Sequence, residues 1–252
     1  MEPANLETLM HTDDKPTLIV IPTYNERENI AQFVATVRSS LPAATILIVD
    51  DNSPDQTWAI VERMSIEDAQ VHLLRRTRKL GLGSAYLDGF RWGLERGFDW
   101  FFEMDADFSH DPKHLSAFCT KLRAGVDVVV GSRGVAGGRV EGWGLGRLVL
   151  SKGGSLYARL VLGVGTKDLT TGYKAFTRHA LSAIELARVC SNGYGFQVEM
   201  TYRALCRGLS VLEIPIVFVD RRVGQSKMDR RIFVEALLVV WRLRFDALTG
   251  RL

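Results

Sequence analysis

The chain has 252 residues, 46% of them hydrophobic, and its 32 Lys and Arg against 29 Asp and Glu leave a formal net charge of +3. That length suits one large domain or two small ones with a sizeable core, and so mild a positive balance is no argument for a nucleic-acid partner, although cations can still cluster where phosphate binds. No stretch of about 20 uninterrupted apolar residues occurs, so no membrane span is expected and the chain reads as soluble or peripheral.

Residues 1–15 are acidic and polar, without the basic and apolar regions of a secretory signal, and read as a disordered lead-in. Cys119, Cys190 and Cys206 are odd in number, lack metal-ligand spacing and sit in apolar patterns where free cysteine acts as a small hydrophobe; a reducing, cytoplasmic compartment is expected. The first strand is Thr17 to Ile21, a β-branched apolar run stopped by Pro22 and suited to a buried parallel sheet. A helix follows through Ile30, Phe33, Val34 and Val37, with Asn25 or Thr23 as cap and Glu26 and Glu28 in its first turn, where the dipole favours carboxylates. The second strand, Thr45 to Val49, runs into Asp50-Asp51-Asn52-Ser53-Pro54-Asp55-Gln56-Thr57 before a helix carrying Trp58, Ile60, Val61 and Met64. One helix needs at most one cap, so this crowd of acceptors leaves a carboxylate for another task, such as holding ribose hydroxyls or a base edge.

Val71 to Leu74 is a third strand, followed by Arg75-Arg76-Thr77-Arg78-Lys79 and Leu80-Gly81-Leu82-Gly83-Ser84. Such a cation run is ordinarily a solvated face, yet between a strand and a glycine-rich helix start it can meet phosphate. A dinucleotide site is rejected, because the third glycine is missing and the pair follows the third strand. After a helix over residues 85–96, the run from Trp100 to Met104 ends in Asp105-Ala106-Asp107-Phe108-Ser109-His110. Carboxylates beyond the carboxyl end of a buried strand sit where open α/β sheets place ligands, and their hard oxygens suit Mg2+ or Mn2+. The plainer alternative is a solvated loop in which Asp107 and Ser109 start the helix at Pro112. Residues 127–130 form the next strand and end in Gly131-Ser132-Arg133, an arginine placed for a pyrophosphate oxygen or for a salt bridge to Asp105 or Asp107.

Residues 134–146 are glycine-rich and aperiodic, as in a long functional loop. The helix over 147–162 has Leu148, Val149, Leu156, Leu160 and Val161 on its apolar side and Arg147, Ser151, Lys152 and Arg159 elsewhere, a pattern that serves core packing or a membrane surface. Asp168 to Phe176 is a polar turn entering a strand, and residues 192–200 start a helix with Gln197 and Glu199 in its first turn. Leu212 to Val219 reads as an edge strand, since Pro215 cannot donate in a central ladder, and it leads to the cations Arg221, Arg222 and Lys227 around Gly224. Residues 232–245 are apolar except for Glu235, Arg242 and Arg244, too short to span a bilayer but long enough to lie on one.

Strands alternating with helices imply a parallel sheet with right-handed crossovers and its strand-end turns on one edge. The carboxylates and cations therefore converge. A metal on Asp105 and Asp107 can bridge a diphosphate, Asp51 can hold a nucleoside, and Arg133, Arg221 and Lys227 can neutralise phosphates.

With Pro22-Thr23-Tyr24-Asn25-Glu26, Val49-Asp50-Asp51-Asn52-Ser53-Pro54-Asp55, Lys79-Leu80-Gly81-Leu82-Gly83, Met104 to His110, Gly131-Ser132-Arg133, Asp168 to Lys174 and Gly224-Gln225-Ser226-Lys227 in that order, the chain resembles glycosyltransferase family 2. Within it, the resemblance is to the dolichol-phosphate (polyprenol-phosphate) mannose synthases. It implies a GT-A fold, a Rossmann-like, mostly parallel α/β sheet flanked by helices, with residues 16–230 as catalytic domain and 231–252 as an amphipathic membrane-surface segment. It implies that Pro22, Tyr24, Glu26, Val49 and Asp51 frame the nucleoside, and that Asp105, Ala106, Asp107 and Arg133 meet the nucleotide sugar. Asp105 and Asp107 would hold Mg2+ or Mn2+, Arg133, Arg221 and Lys227 the phosphates, and Arg147 and Ser151 the lipid phosphate; Asp107, Asp105 and Arg133 would carry catalysis. Two departures stand out. Ser109 occupies a position where many relatives carry Gln, and is expected to join the metal shell; Gln56 replaces a glycine, so a turn needing positive φ there would be strained.

The implied reaction is inverting transfer of mannose from GDP-mannose to a polyprenyl monophosphate, giving polyprenyl-phosphate-β-mannose and GDP. An acceptor phosphate with second pKa about 6 is already mostly ionised near pH 7, so no strong base is needed. Peripheral association with the cytoplasmic face of a membrane, alone or through a separate membrane-anchoring subunit, is expected. The same fold using UDP-glucose or another donor, and a non-catalytic nucleotide-sugar-binding scaffold, are the alternatives.

Overall fold

In the computed structural model, residues 15–220 and 230–252 are described; residues 1–14 of the lead-in, Arg221, Arg222 and Lys227 lie outside the described residues. Short apolar runs punctuated by Pro, Gly and Asp form β1 (Thr17–Thr23), β2 (Thr45–Asp50), β3 (Val71–Arg75), β4 (Trp100–Glu103), β5 (Val128–Ser132), β6 (Arg139–Glu141), β7 (Lys174–Thr177), β8 (Val211–Pro215) and β9 (Val217–Val219). The longer periodic segments form α1 (Ile30–Ser40), α2 (Thr57–Glu67), α3 (Leu82–Glu95), α4 (Leu115–Arg123), α5 (Leu145–Leu162), α6 (Arg178–Ile184), α7 (Gly193–Cys206) and α8 (Arg230–Leu248).

Seven strands make one sheet in the order β3-β2-β1-β4-β7-β5-β8, parallel except for β7. Because successive side chains alternate faces, Ile19 and Ile21 of β1 pack with Phe33 of α1, Val61 of α2 and Phe118 of α4, whereas Leu18 and Val20 pack with Phe90 of α3, Leu181 of α6 and Phe196 of α7. Helices thus cover both faces, which is why these strands read as unbroken apolar runs. A third cluster joins Ala158 and Leu162 of α5, Val198 and Tyr202 of α7, and Val239, Val240 and Leu243 of α8.

Several sequence expectations need correction. β1 does not stop before Pro22 but runs to Thr23, with Pro22 opposite Val49. β4 reaches only as far as Val20, so Pro22 has a ladder neighbour on one side alone and its missing donor disrupts nothing. α1 starts at Ile30 with Asn29 as its N-cap residue, so Asn25 and Thr23 do not cap it and Glu26 and Glu28 precede it. Residues 134–146 contain β6, which pairs with β9 in a second small sheet. Of the cysteines, only Cys119 is buried; Cys190 and Cys206 are exposed.

Candidate active site

The parallel strands deliver the ends of β1 to β5 and β8 to one edge of the sheet. β7 runs the other way, so the loop that precedes it arrives at that same edge. This single reversal brings Asp168 to Arg133.

On the first half of the edge, each carboxylate after β2 has protein partners. Asp50, fully buried, accepts from Thr23 Oγ1 at 2.7 Å and from Ser53 N and Oγ at 2.8 and 2.6 Å. Asp51 is ion-paired with buried Arg76, and its Oδ2 accepts from Leu80 N and Gly81 N at 3.2 and 3.1 Å. Asp55 accepts from Thr57 and Arg27; burial raises its pKa, but these hydrogen bonds outweigh it and hold the carboxyl below its ordinary value. Counting caps therefore does not single out one carboxylate for a ligand. The cation run is also largely engaged: the Arg75 guanidinium lies 3.5 Å from the centre of the Trp58 ring, and Lys79 Nζ 3.9 Å from that of Tyr24. The glycine-rich start of α3 is closed by protein, since Gly83 N donates to Asn192 Oδ1 at 2.8 Å. A Cβ on Gly83 would come within 2.9 Å of the Ser191 carbonyl oxygen, so that glycine serves close packing. Glu26 N donates to Thr57 Oγ1 and Glu26 Oε2 accepts from Asn29, which ties the turn after β1 to α2 and α1.

At the centre, Asp105 is about one-third exposed, and Tyr86 donates its phenol proton to Asp105 Oδ1 at 3.2 Å. Asp105 N donates to Nδ1 of His110, a buried ring stacked on Tyr173. Ser109 donates to Asp107 Oδ1 from both N and Oγ, at 3.1 and 2.5 Å, and Ala106 is buried in the core. Asp107 does not start the next helix. Asp111 does, accepting from Lys113 N at 3.0 Å, which removes the plainer account of the turn. Phe108 sits at φ 61°, a left-handed conformation costly for a bulky residue, while its ring packs edge-on against Phe33.

The donor set fits a hard divalent ion. Among the described residues no group of three His, Cys, Asp or Glu could hold one, so a closed protein cage is absent. Two carboxylates with the remaining positions left to water and diphosphate is the arrangement that suits Mg2+ or Mn2+. Beside this turn, burial first, then the charges of Asp105, Glu103 and Asp107, push the Tyr86 phenol up.

On the other half of the edge stands Arg133. It forks onto Asp168, Nε to Oδ2 and Nη2 to Oδ1 both at 2.7 Å, and also reaches Thr170. Burial would raise the Asp168 pKa, but the Arg133 charge and hydrogen bonds prevail and keep it low. Arg147 binds Asp220 at 2.8 Å and lies over Trp143. Ser151, by contrast, lines with Arg133 a cavity of about 220 Å3. Of the expected residues, the structure therefore brings Ser151 to Arg133 in this cavity and leaves Arg147 outside its lining. Tyr86, Arg76 and His110 are not marked out by the sequence, where their signals are those of core helix, cation run and loop, and nothing local to Asp168 points to Arg133.

A family model described as glycosyl transferase family 2 matches residues 18–184. The polyprenol monophosphomannose synthase of Mycolicibacterium smegmatis is 48% identical over 231 residues, covering 90% of this chain and 87% of that protein. The undecaprenyl-phosphate mannosyltransferase of Micrococcus luteus is 46% identical over 239 residues, covering 93% and 98%. Among solved structures, the glucosyl-3-phosphoglycerate synthase of Mycobacterium tuberculosis, in complex with Mn2+, UDP and glucosyl-3-phosphoglycerate, shares the fold with a TM-score of 0.64 at 17% identity, covering 94% of this chain and 80% of that one.

Proposed function

The chain belongs to glycosyl transferase family 2, and from that premise we propose that it transfers mannose from GDP-mannose to a polyprenyl monophosphate with inversion, releasing GDP. The names of relatives at 48% and 46% identity over nearly the whole chain support the sugar and the lipid phosphate. One observation carries the reading: the Asp105 and Asp107 turn and the Arg133–Asp168 fork share a sheet edge with a cation-lined cavity that opens beside an apolar helix.

Asp105 and Asp107, with Ser109 beside them, would hold Mg2+ or Mn2+, and the ion, when bound, offsets charge building on the departing diphosphate. The protein's own contribution is orientation. Ser109 fixes Asp107, Tyr86 and His110 fix Asp105, and Asp168 and Thr170 aim the Arg133 fork, so these groups need no reorganisation as charge develops. Pro22, Tyr24, Glu26, Val49 and Asp51 frame the nucleoside, Ala106 supports the metal turn, and Arg221 and Lys227 are assigned to phosphate from the sequence alone. Arg147 and Ser151, with Arg133 beside Ser151, face the acceptor, whose ionised oxygen attacks the anomeric carbon without a protein base. Residues 16–230 form the catalytic unit. The C-terminal helix and α5 rest on the cytoplasmic face of a membrane, and a separate membrane subunit can anchor the same surface. No helix among the described residues is long and apolar enough to cross a bilayer.

Turnover of labelled GDP-mannose and UDP-glucose with decaprenyl phosphate, with and without EDTA, tests the reading. Expected are mannolipid from the guanosine donor, its loss with EDTA, and loss of about 10²-fold or more in Asp107→Ala, the scale seen when an electrostatic stabiliser is removed. Preference for the uridine donor would overturn the donor assignment, and full activity in Asp107→Ala the metal-centred mechanism.

A further inference from the structure

Beside the Asp105 turn, buried polar side chains from separate elements come together: Glu103 of β4, Lys174 opposite it on β7, and Gln197 near the start of α7. Lys174 Nζ donates to the Gln197 main-chain oxygen and to Gln197 Oε1, at 2.8 and 2.6 Å. An ammonium has only protons to give, so the amide oxygen must face it and the amide nitrogen must point elsewhere. Among the described residues, that nitrogen, Gln197 Nε2, is buried without a hydrogen-bond partner.

A glycine defines the space it faces. A Cβ on Gly172, in the loop before β7, would lie 3.5 Å from Gln197 Nε2, 3.6 Å from Asp105 Oδ2 and 3.4 Å from His110 Cε1. The backbone does not itself demand a glycine there, since Gly172 lies outside the left-handed region. The missing side chain leaves a gap with the bare amide on one side and a carboxylate of the metal turn on the other. Glu103 belongs to the same region: both its oxygens are buried without a hydrogen-bond partner among the described residues, and it feels the Gln197 amide and the Asp105 charge. Buried donors and acceptors facing one gap are what a structural water joins, given about two to four polar partners.

We propose that Gln197 is a positioning residue for the metal turn: oriented by Lys174, its Nε2 donates to one buried water in the gap at Gly172, and that water donates to Asp105 Oδ2 and to Glu103. Tyr86 already donates to Asp105 Oδ1. The carboxylate is then held at both oxygens, each of which keeps a lone pair for the ion. This rests on the metal assignment of Asp105 and Asp107 and deepens it, because partners that orient a ligand set metal affinity as well as geometry.

Mn2+ titration of the full chain at saturating GDP, with the free ion followed by electron paramagnetic resonance, tests this. Gly172→Ala is the decisive variant. Its methyl meets its neighbours at ordinary contact distance, so the chain folds, yet it fills the place of the water. Mn2+ is expected to bind about ten- to hundredfold more weakly, the scale of a lost outer-shell partner, while GDP affinity in EDTA and the urea midpoint stay those of the parent. Gln197→Leu removes the donor and is expected to lose as much, and the double variant no more than either alone, because both act through one water. Gly165→Ala, whose Cβ meets nothing within 4 Å, is the control and binds Mn2+ as the parent does. Parent-like Mn2+ affinity in Gly172→Ala overturns the proposal, whether or not Gln197→Leu folds, and so does a loss matched by falls in GDP affinity and urea midpoint. Asp107→Ala separates this from the reading beneath it. Mn2+ binding that survives Asp107→Ala sinks the metal assignment itself, whereas binding lost there and intact in Gly172→Ala sinks the role of Gln197 alone.

Discussion

At the scale of single residues, the turn between β2 and α2 shows how a local conflict between residue and backbone is tolerated. Gln56 adopts φ 62° and ψ 31°, the left-handed region that a glycine enters without a Cβ penalty. What holds it there is its surroundings: Gln56 N donates to Ser53 O, and Asp55 Oδ1 accepts from Thr57 N and Oγ1 on the far side. The Gln56 side chain is exposed, so a substitution tests backbone strain and little else. Gln56→Gly is expected to raise stability by up to about 1 kcal/mol, the strain relief of about 1–2 kcal/mol less the extra unfolded-state entropy of glycine, while Gln56→Val loses about 1–2 kcal/mol. Urea unfolding decides it; a Gly variant clearly less stable than the parent would show that the glutamine side chain matters in its own right. This site was legible in the sequence, since a missing glycine in a polar strand-to-helix turn is a visible departure. Asp105 and Asp107 were legible for a similar reason, being carboxylates at the end of an apolar run. Arg76 was not, because nothing in a run of cations marks the one that folds inward onto Asp51.

At the scale of elements, the reversed strand β7 is the feature that pattern reading does not reach. Alternating strands and helices predict parallel pairing, and Lys174 to Thr177 has no property that fixes its direction; only the competition for the gap between β4 and β5 does. The consequence is a buried cross-strand pair, Glu103 opposite Lys174. Lys174 Nζ donates to Gln197 O and Oε1 at 2.8 and 2.6 Å, and burial, working against the charges of Glu103 and Asp168, pulls its pKa from 10.5 down to about 8. Burial likewise pushes Glu103 up to about 7 against the pull of Lys174. For Lys174 the unfolded chain keeps its proton up to 10.5 and the folded chain only to about 8, so its contribution is complete above 10.5 and is lost as pH falls through 8. The unfolding free energy of the parent minus that of Lys174→Met should therefore grow between pH 8 and 10.5, by at most about 1.4 kcal/mol per pH unit. Chemical denaturation across that window in EDTA measures it. A difference that stays flat or shrinks would mean that the ammonium keeps its proton inside the sheet. The same reversal hides the partner of Asp168 from the sequence: its meeting with Arg133 depends on strand direction, which local sequence does not encode.

At the scale of the whole molecule, the sheet and its two covering layers account for most of the chain, and α5 with α8 stands outside them as a separate cluster. The two helices bury Ala158, Leu162, Val240 and Leu243 between themselves and α7, and leave Leu145, Leu160, Trp241, Phe245 and Leu248 largely exposed. Exposed apolar side chains scattered singly need no explanation, but five large ones on two helices that pack together suit contact with something apolar. A lipid surface fits, because the two helices also carry exposed Lys152 and Arg242, and the chain as a whole has a net charge of +3. Each large side chain half-buried in the interface is worth about 1 kcal/mol, so five acting together outweigh what one or two ionic contacts supply. The full chain should therefore co-sediment with vesicles rich in anionic lipid, weaken only modestly at higher salt, and bind several-fold less after Trp241→Ser and markedly less in the Trp241→Ser, Phe245→Ser pair. Acceptor KM for a long-chain polyprenyl phosphate in vesicles should rise in step, while KM for a short, water-soluble prenyl phosphate should not, because the short acceptor reaches the cavity without the membrane. Binding abolished by salt yet indifferent to Trp241 and Phe245 would assign the attachment to charge alone, and the apolar face would then be left for a protein partner that covers it.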